Sequence, residues 1–396
     1  MYIFACLQAL LFFFSSSILV HAHDSGFDIS PSLSGAEINI RFGEEAQDGH
    51  ERNHGLEKRQ ACGSGVGSCP TGQCCSSGGQ CGTGPTFCNG PACQLAYGPA
   101  CDGNISPPGS NTLNVARTKV GNVAYGGAGL YHCSTAGTIA LTFDDGPYTY
   151  TQSVLDTLAK YNVQATFFIN GNSLGKGRID DPLTPWPQVL RNMYNAGHQL
   201  ASHTWTHQDL TILPMNLMQN QVIYNEMAFR NIFGFFPTYI RPPFGYCSGS
   251  SGCADYLNNL GYHIVYWDVD TKDYLNDDPD LILNSENYFA GNVSSSANGH
   301  SYIPLAHDIH QNTALTLVAY MLDMLKARGY KPVTVGEYMG DPRANCYKYK
   351  LKQECKLGHS LESSGFECYS YNNDSTRNGE CYDSVIDYVE HLEIRW

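Results

Sequence analysis

The chain has 396 residues, 42% of them hydrophobic, which suffices for one globular domain with small attachments and excludes a disordered chain. Its formal net charge of −14, with few clustered basic residues, argues against nucleic acid or an anionic membrane as partner. Sixteen cysteines point to an oxidising compartment.

Residues 1–22 form an apolar run ending in Val20-His21-Ala22, which predicts a signal peptide and secretion to the extracellular space or cell wall. Residues 23–59 are polar, patternless and closed by Lys58-Arg59, so they read as a pro-segment with a dibasic cleavage site. No apolar tail follows Trp396, so no lipid anchor is expected there. Sequons at Asn104, Asn292 and Asn373 offer glycosylation sites.

Residues 60–103 carry Cys62, Cys69, Cys74, Cys75, Cys81, Cys88, Cys93 and Cys101 among many Gly and Ser. So small a segment buries too little apolar surface to fold unaided, and disulfides must hold it. The double cysteine followed by "SSGGQCGTGPTFC" resembles the hevein-like, type 1 chitin-binding module. That resemblance implies sugar contacts by Ser76 and Phe87. Gly78 and Gln80 stand where the family has aromatic rings, which implies weakened or altered stacking. The competing reading is a disulfide-stapled spacer. Residues 104–132, rich in Gly, Ser, Asn and Pro, suit a linker.

From residue 133 to 341, strand-like runs alternate with helical segments. The runs are "TIALTF" (138–143), "ATFFI" (165–169), "HQLAS" (198–202), "TYIR" (238–241), "YHIVYWDV" (262–269), "YIPLAH" (302–307) and "KPVTV" (331–335). The periodicity of "TQSVLDTLAKY" puts Val154, Leu155, Leu158 and Ala159 on one face; a second helix, ending at Gly329, does the same with Leu315, Val318, Met321, Leu322 and Leu325. This alternation predicts an α/β fold of parallel βαβ units closed or nearly closed into a barrel.

Such a barrel carries its chemistry at the C-terminal ends of its strands. Asp144 and Asp145, His203 and His207, Arg241, Asp270 and Asp273, and His307 all follow strand-like runs and so converge on one rim. "SHTWTH" sets two histidines one helical turn apart, and a carboxylate from the first strand end would complete a ligand set for a catalytic zinc, iron or cobalt. One of the adjacent aspartates can be a ligand while the other accepts a proton from water; alone, "DDG" is also ordinary turn chemistry. Arg241 could hold the base carboxylate in a bidentate pair and keep its pKa low. The prolines of "RPPFGY" could preset a peptide N–H such as that of Phe244 toward an oxyanion. His307 could protonate a leaving group, with Asp273 or Asp270 orienting its ring.

In order, "TFDDGP", "HTWTH", "RPPF", "DTKDY" and "LAH" resemble the motifs of the polysaccharide deacetylase (NodB homology) domain, carbohydrate esterase family 4, and within it the fungal chitin deacetylases. The resemblance implies a distorted (β/α)-barrel of seven or eight strands. It implies Asp144 as base, Asp145, His203 and His207 as ligands to a divalent metal, zinc or cobalt, and His307 as acid. It further implies Arg241 tethering Asp144, Asp273 tuning His307, the Phe244 N–H as oxyanion donor, and Tyr274 and Leu305 beside the acetyl group. Tyr274 stands where the family often has Trp. Cys247 and Cys253 match a loop disulfide of the fungal enzymes; Cys133 matches a cysteine whose partner position is here Tyr338, and Cys346 is the nearest substitute. The implied activity is hydrolysis of N-acetyl groups on chitin or N-acetylglucosamine oligomers. Acetylxylan or other glycan esterase activity, and a catalytically silent wall-binding protein, are the alternatives. Residues 342–396, with Cys355, Cys368 and Cys381, match nothing.

Overall fold

The computed structural model describes residues 60–132, 135–247 and 249–349. The expected signal peptide and pro-segment, Cys133 and the region 350–396 lie outside the described residues.

Seven parallel strands form the central sheet: β1 (Thr142–Asp144), β2 (Thr166–Ile169), β3 (Gln199–Ser202), β4 (Tyr239–Ile240), β5 (His263–Ile264), β6 (Val269–Asp270) and β7 (Pro304–His307). Their order across the curled sheet is β6-β7-β1-β2-β3-β4-β5, the open seam lying between β5 and β6. Helices α1 (Thr151–Tyr161), α2 (Trp186–Asn195), α3 (Met215–Phe233), α4 (Cys253–Asn259), α5 (Ile282–Asn292) and α6 (Val318–Arg328) cover its outside. The architecture is that of an α/β half-barrel, as expected. Among the described residues no helix is long and apolar enough to cross a membrane.

The strands read as unbroken, mostly apolar runs because both faces are buried: β2 is "TFFI" with every residue inside. Phe143, Phe167 and Phe168 are wholly buried, each contributing roughly 1.5–3 kcal/mol. Helix α1 stops where Asn162 turns left-handed (φ 52), and α6 where Gly329 does so (φ 79).

Several expectations need correction. The run 138–143 divides between β1 and a two-residue strand, Thr138–Ile139, which pairs with Lys331–Pro332. The run 262–269 is two strands, β5 and β6, with Val265 to Asp268 crossing the seam. Ala159 is exposed, and so is Leu315, at 57%. Ahead of α6, Thr313–Leu317 form a π-turn that widens the helix, so Ala314 and Leu317 face the core instead. Cys346 is a buried free thiol, and Cys133, its candidate partner, lies outside the described residues.

The cysteine-rich segment is closed by Cys62–Cys75, Cys69–Cys81, Cys74–Cys88 and Cys93–Cys101, and a further bridge joins Cys247 to Cys253. The stretch 104–132 is strapped to the barrel. Thr112 is fully buried and donates to Glu226 Oε2 at 2.6 Å, and Arg117 forks onto both oxygens of Glu226 at 2.7 and 2.9 Å. Tyr347–Tyr349 pair antiparallel with Phe235–Pro237, so the barrel unit reaches past residue 341.

Candidate metal-dependent active site

The rim is assembled from strand ends. Asp144 closes β1; Asp145 then turns left-handed (φ 78), which brings both carboxylates to one point. Their nearest oxygens lie 3.7 and 3.5 Å from His203 Nε2, and Asp145 Oδ1 is 3.3 Å from His207 Nε2. The two histidines do not sit on a helical turn. They follow β3 on a loop in which Thr204 (φ 70) and His207 (φ 55) are left-handed, a conformation costing on the order of 1–3 kcal/mol at each non-glycine residue. Bonds from Trp205 N to Gln221 O and from Thr206 N to Gln221 Oε1, both 2.8 Å, hold that loop from the α3 side.

The donor set fits a divalent cation. His203 Nδ1 lies 2.7 Å from the carbonyl of Arg241. A carbonyl can only accept, so Nδ1 carries the proton and Nε2 presents a lone pair to the centre. Asp145 Oδ1 is buried without a hydrogen-bond partner, and the ligand atoms of Asp145, His203 and His207 lie within 4.8 Å of one another. Burial lowers His203 to about 3 and lowers His207 as well. Burial opposes the charge on Asp145, but His207, His307, His203 and Lys176 outweigh it and hold the carboxyl at about 2. Neutral imidazoles beside an ionised carboxylate are what a metal requires. Cys62, Cys69 and Cys75 also cluster, but all three are spent in disulfides.

Arg241 is wholly buried and meets Asp144 through one bond, Nη1 to Oδ1 at 2.7 Å, not the expected bidentate pair. Its other donors serve Thr142 Oγ1 and the carbonyls of Tyr266 and Val265, while Phe168 packs 4.1 Å below the guanidinium. The expected low pKa of Asp144 is also overturned: burial pushes it to about 6 despite the opposing charge of Arg241.

Across the rim, His307 Nδ1 donates to Asp273 Oδ1 at 2.8 Å, and Asp273 Oδ2 accepts from His307 N and Thr313 Oγ1. Burial alone would lower His307, but the charge and hydrogen bond of Asp273 raise it to about 10. Asp270 does not share this role; it accepts from Lys272 N and the Tyr274 hydroxyl. Tyr274 is 45% exposed with its ring 5.5 Å from that of His307, while Leu305 is buried within β7. Phe244 takes a left-handed turn (φ 60), and its ring lies 4.6 Å from that of His207.

In the cysteine-rich segment, Ser76 Oγ accepts from Gln80 N at 3.3 Å. Phe87 is half-buried over Gly82, where an added Cβ would come within 2.6 Å of the ring. Asn104 Nδ2 donates to the carbonyls of Leu95 and Gly98, whereas Asn292 is exposed at the end of α5.

Two buried groups escaped the sequence reading. Lys176 Nζ donates to the carbonyls of Asp145 and Gly146 at 3.1 and 3.0 Å. Asp308 accepts from Gly146 N at 3.0 Å and from Thr151 Oγ1. Burial lowers Lys176 and raises Asp308, each to about 7. Adjacency to His307 was the available signal for Asp308; Lys176 sits in a Gly-rich loop without periodicity.

A family model described as polysaccharide deacetylase matches residues 132–265. A chitin deacetylase of Colletotrichum lindemuthianum is 40% identical over 222 residues, 56% of this chain and 87% of that protein. The chain belongs to the polysaccharide deacetylase family. A chitin deacetylase of Pestalotiopsis sp is 39% identical over 216 residues, 54% of this chain and 68% of that relative. Among solved structures, the Colletotrichum chitin deacetylase superposes with a TM-score of 0.53 at 41% identity, covering 55% of this chain and 94% of that one. The polysaccharide deacetylase match begins at residue 132 and leaves the cysteine-rich segment outside it.

Proposed function

We propose that the chain is a secreted, metal-dependent deacetylase that hydrolyses the N-acetyl groups of chitin or chito-oligosaccharides, releasing acetate and leaving chitosan. The observation that carries this reading is the orphaned Asp145 Oδ1 facing two imidazole Nε2 atoms, flanked by Asp144 on Arg241 and His307 on Asp273. The names of the fungal relatives supply the substrate class.

Asp145, His203 and His207 would hold the cation. When bound, zinc or cobalt would act as a Lewis acid toward the acetyl carbonyl and lower the pKa of water. Asp144 takes the proton of the attacking water, and its pKa of about 6 leaves it ionised yet basic at neutral pH. The Phe244 N–H donates to the developing oxyanion. His307, protonated and held by Asp273, gives its proton to the departing nitrogen. Tyr274 and Leu305 wall the acetyl group. Ser76 and Phe87 are the sugar-facing candidates of the cysteine-rich module.

The test is acetate release from chitin oligomers and, in parallel, acetylated xylan, after chelator treatment and add-back of zinc or cobalt. Metal-restored release from chitin oligomers is expected. Release from xylan alone would make the chain a glycan esterase, and release from neither would leave a wall-binding protein. Asp144→Asn should lower turnover by about 10²–10⁴ while metal content is unchanged.

A further inference from the structure

A module on a flexible tether needs no contact with the barrel rim, yet the cysteine-rich segment grips two rim loops. On the loop after β2, Gly90 forms a bridge with Ser173, and Leu174 N donates to Gly90 O at 3.0 Å. On the loop after β3, Gln208 Nε2 donates to Pro91 O at 2.9 Å and to Cys93 O at 3.4 Å, and Trp205 Nε1 donates to Asp102 O at 3.3 Å. Gly90 and Gly103 press on Thr206 so closely that an added Cβ would come within 2.5 and 2.7 Å of its atoms. Leu213 and Leu217 pack against the module's own core of Cys74, Cys93, Leu95 and Cys101.

His207 therefore lies between two residues, Thr206 and Gln208, that are both held by the module. The gripping segment is itself braced by Cys74–Cys88 and Cys93–Cys101. Because Thr204 and His207 are left-handed without being glycine, the loop keeps this shape only where its surroundings impose it. Gln221 does so from the barrel side and the module from outside.

We infer that the cysteine-rich module is a fixed outer buttress of the 203–208 loop, with Gln208 a positioning residue that sets His207 for the metal. This rests on the reading of His203 and His207 as metal ligands. The module's second role, independent of any sugar it binds, is to preorganise the ligand set.

Two variants of the full chain test it. Gln208→Glu keeps the side chain's shape and removes the donor to Pro91 and Cys93. Gly90→Ala wedges the module away from Thr206. In the metal-free protein, amide hydrogen exchange across 203–208 should rise about tenfold in each variant, and a chelator should strip zinc at about tenfold lower concentration than from the parent. Thermal unfolding verifies that each variant is folded; if Gly90→Ala is not, Gln208→Glu decides alone. Exchange rates and zinc retention within twofold of the parent overturn the buttress. A parent chain that binds no zinc would instead count against the metal reading, and the exchange rates would still decide the buttress.

Discussion

At the residue scale, the two carboxylates with the most chemistry in prospect sit in opposite electrostatic settings. Asp144 faces Arg241 and His307, yet burial wins; Asp273 has the His307 imidazolium and the Thr313 hydroxyl bonded to it, and they hold its pKa down against burial. His307 therefore has a folded pKa of about 10, above its ordinary 6.5. A raised value means that its contribution to stability is fully present below about pH 6.5 and is lost as the pH rises through about 10. Asp273→Asn removes the strongest opposition to burial, leaving only the charges of Asp145 and Asp144, so the alkaline limb of kcat/KM should move to lower pH by at least one unit, read from the pH profile of acetate release. Arg241→Met should destabilise the fold by about 3–5 kcal/mol in denaturant titration, since it strands a buried carboxylate and leaves the Val265 and Tyr266 carbonyls without their donor.

At the scale of the elements, the π-turn at Thr313–Leu317 reverses what α-helical periodicity assigns: Leu317 is buried where the pattern puts Leu315. Leu317→Ala should cost about 2–5 kcal/mol by thermal or chemical unfolding, and Leu315→Lys less than about 0.5. A larger cost at Leu315 than at Leu317 would mean that the turn is an ordinary α-helix in solution. The strand ends and the motifs they carry were legible because each motif is a local string placed where an apolar run stops. What was not legible depended on non-local geometry. An eight-residue apolar run such as 262–269 does not declare a break in its middle, His203 and His207 have helical spacing without a helix, and the pKa of Asp144 follows from burial that no string of letters contains. Lys176 was invisible for the same reason: its partners are the Asp145 and Gly146 carbonyls, some thirty residues earlier in the chain.

At the scale of the molecule, a chain of formal charge −14 would act on a neutral polymer and leave a polymer of amines. Chitosan oligomers should therefore bind more weakly as ionic strength rises toward about 0.15 M, where the Debye length is about 8 Å, whereas chitin oligomers should be nearly indifferent to salt. Product inhibition measured across a salt series checks this. The stretch 104–132 belongs to the same scale. Its composition suggested a tether, and composition alone could not reveal that Thr112 and Arg117 both find Glu226, more than a hundred residues away.

The order β6-β7-β1-β2-β3 has a kinetic consequence. The prospective base on β1 and the prospective acid on β7 ride on neighbouring strands separated by some 160 residues of chain, while the ligand-bearing ends of β1 and β3 lie within about 60. Closing the longer loop is the slower event. A refolding chain should thus regain its affinity for a cation before it regains turnover, and the lag between the two would time the arrival of β7 against β1.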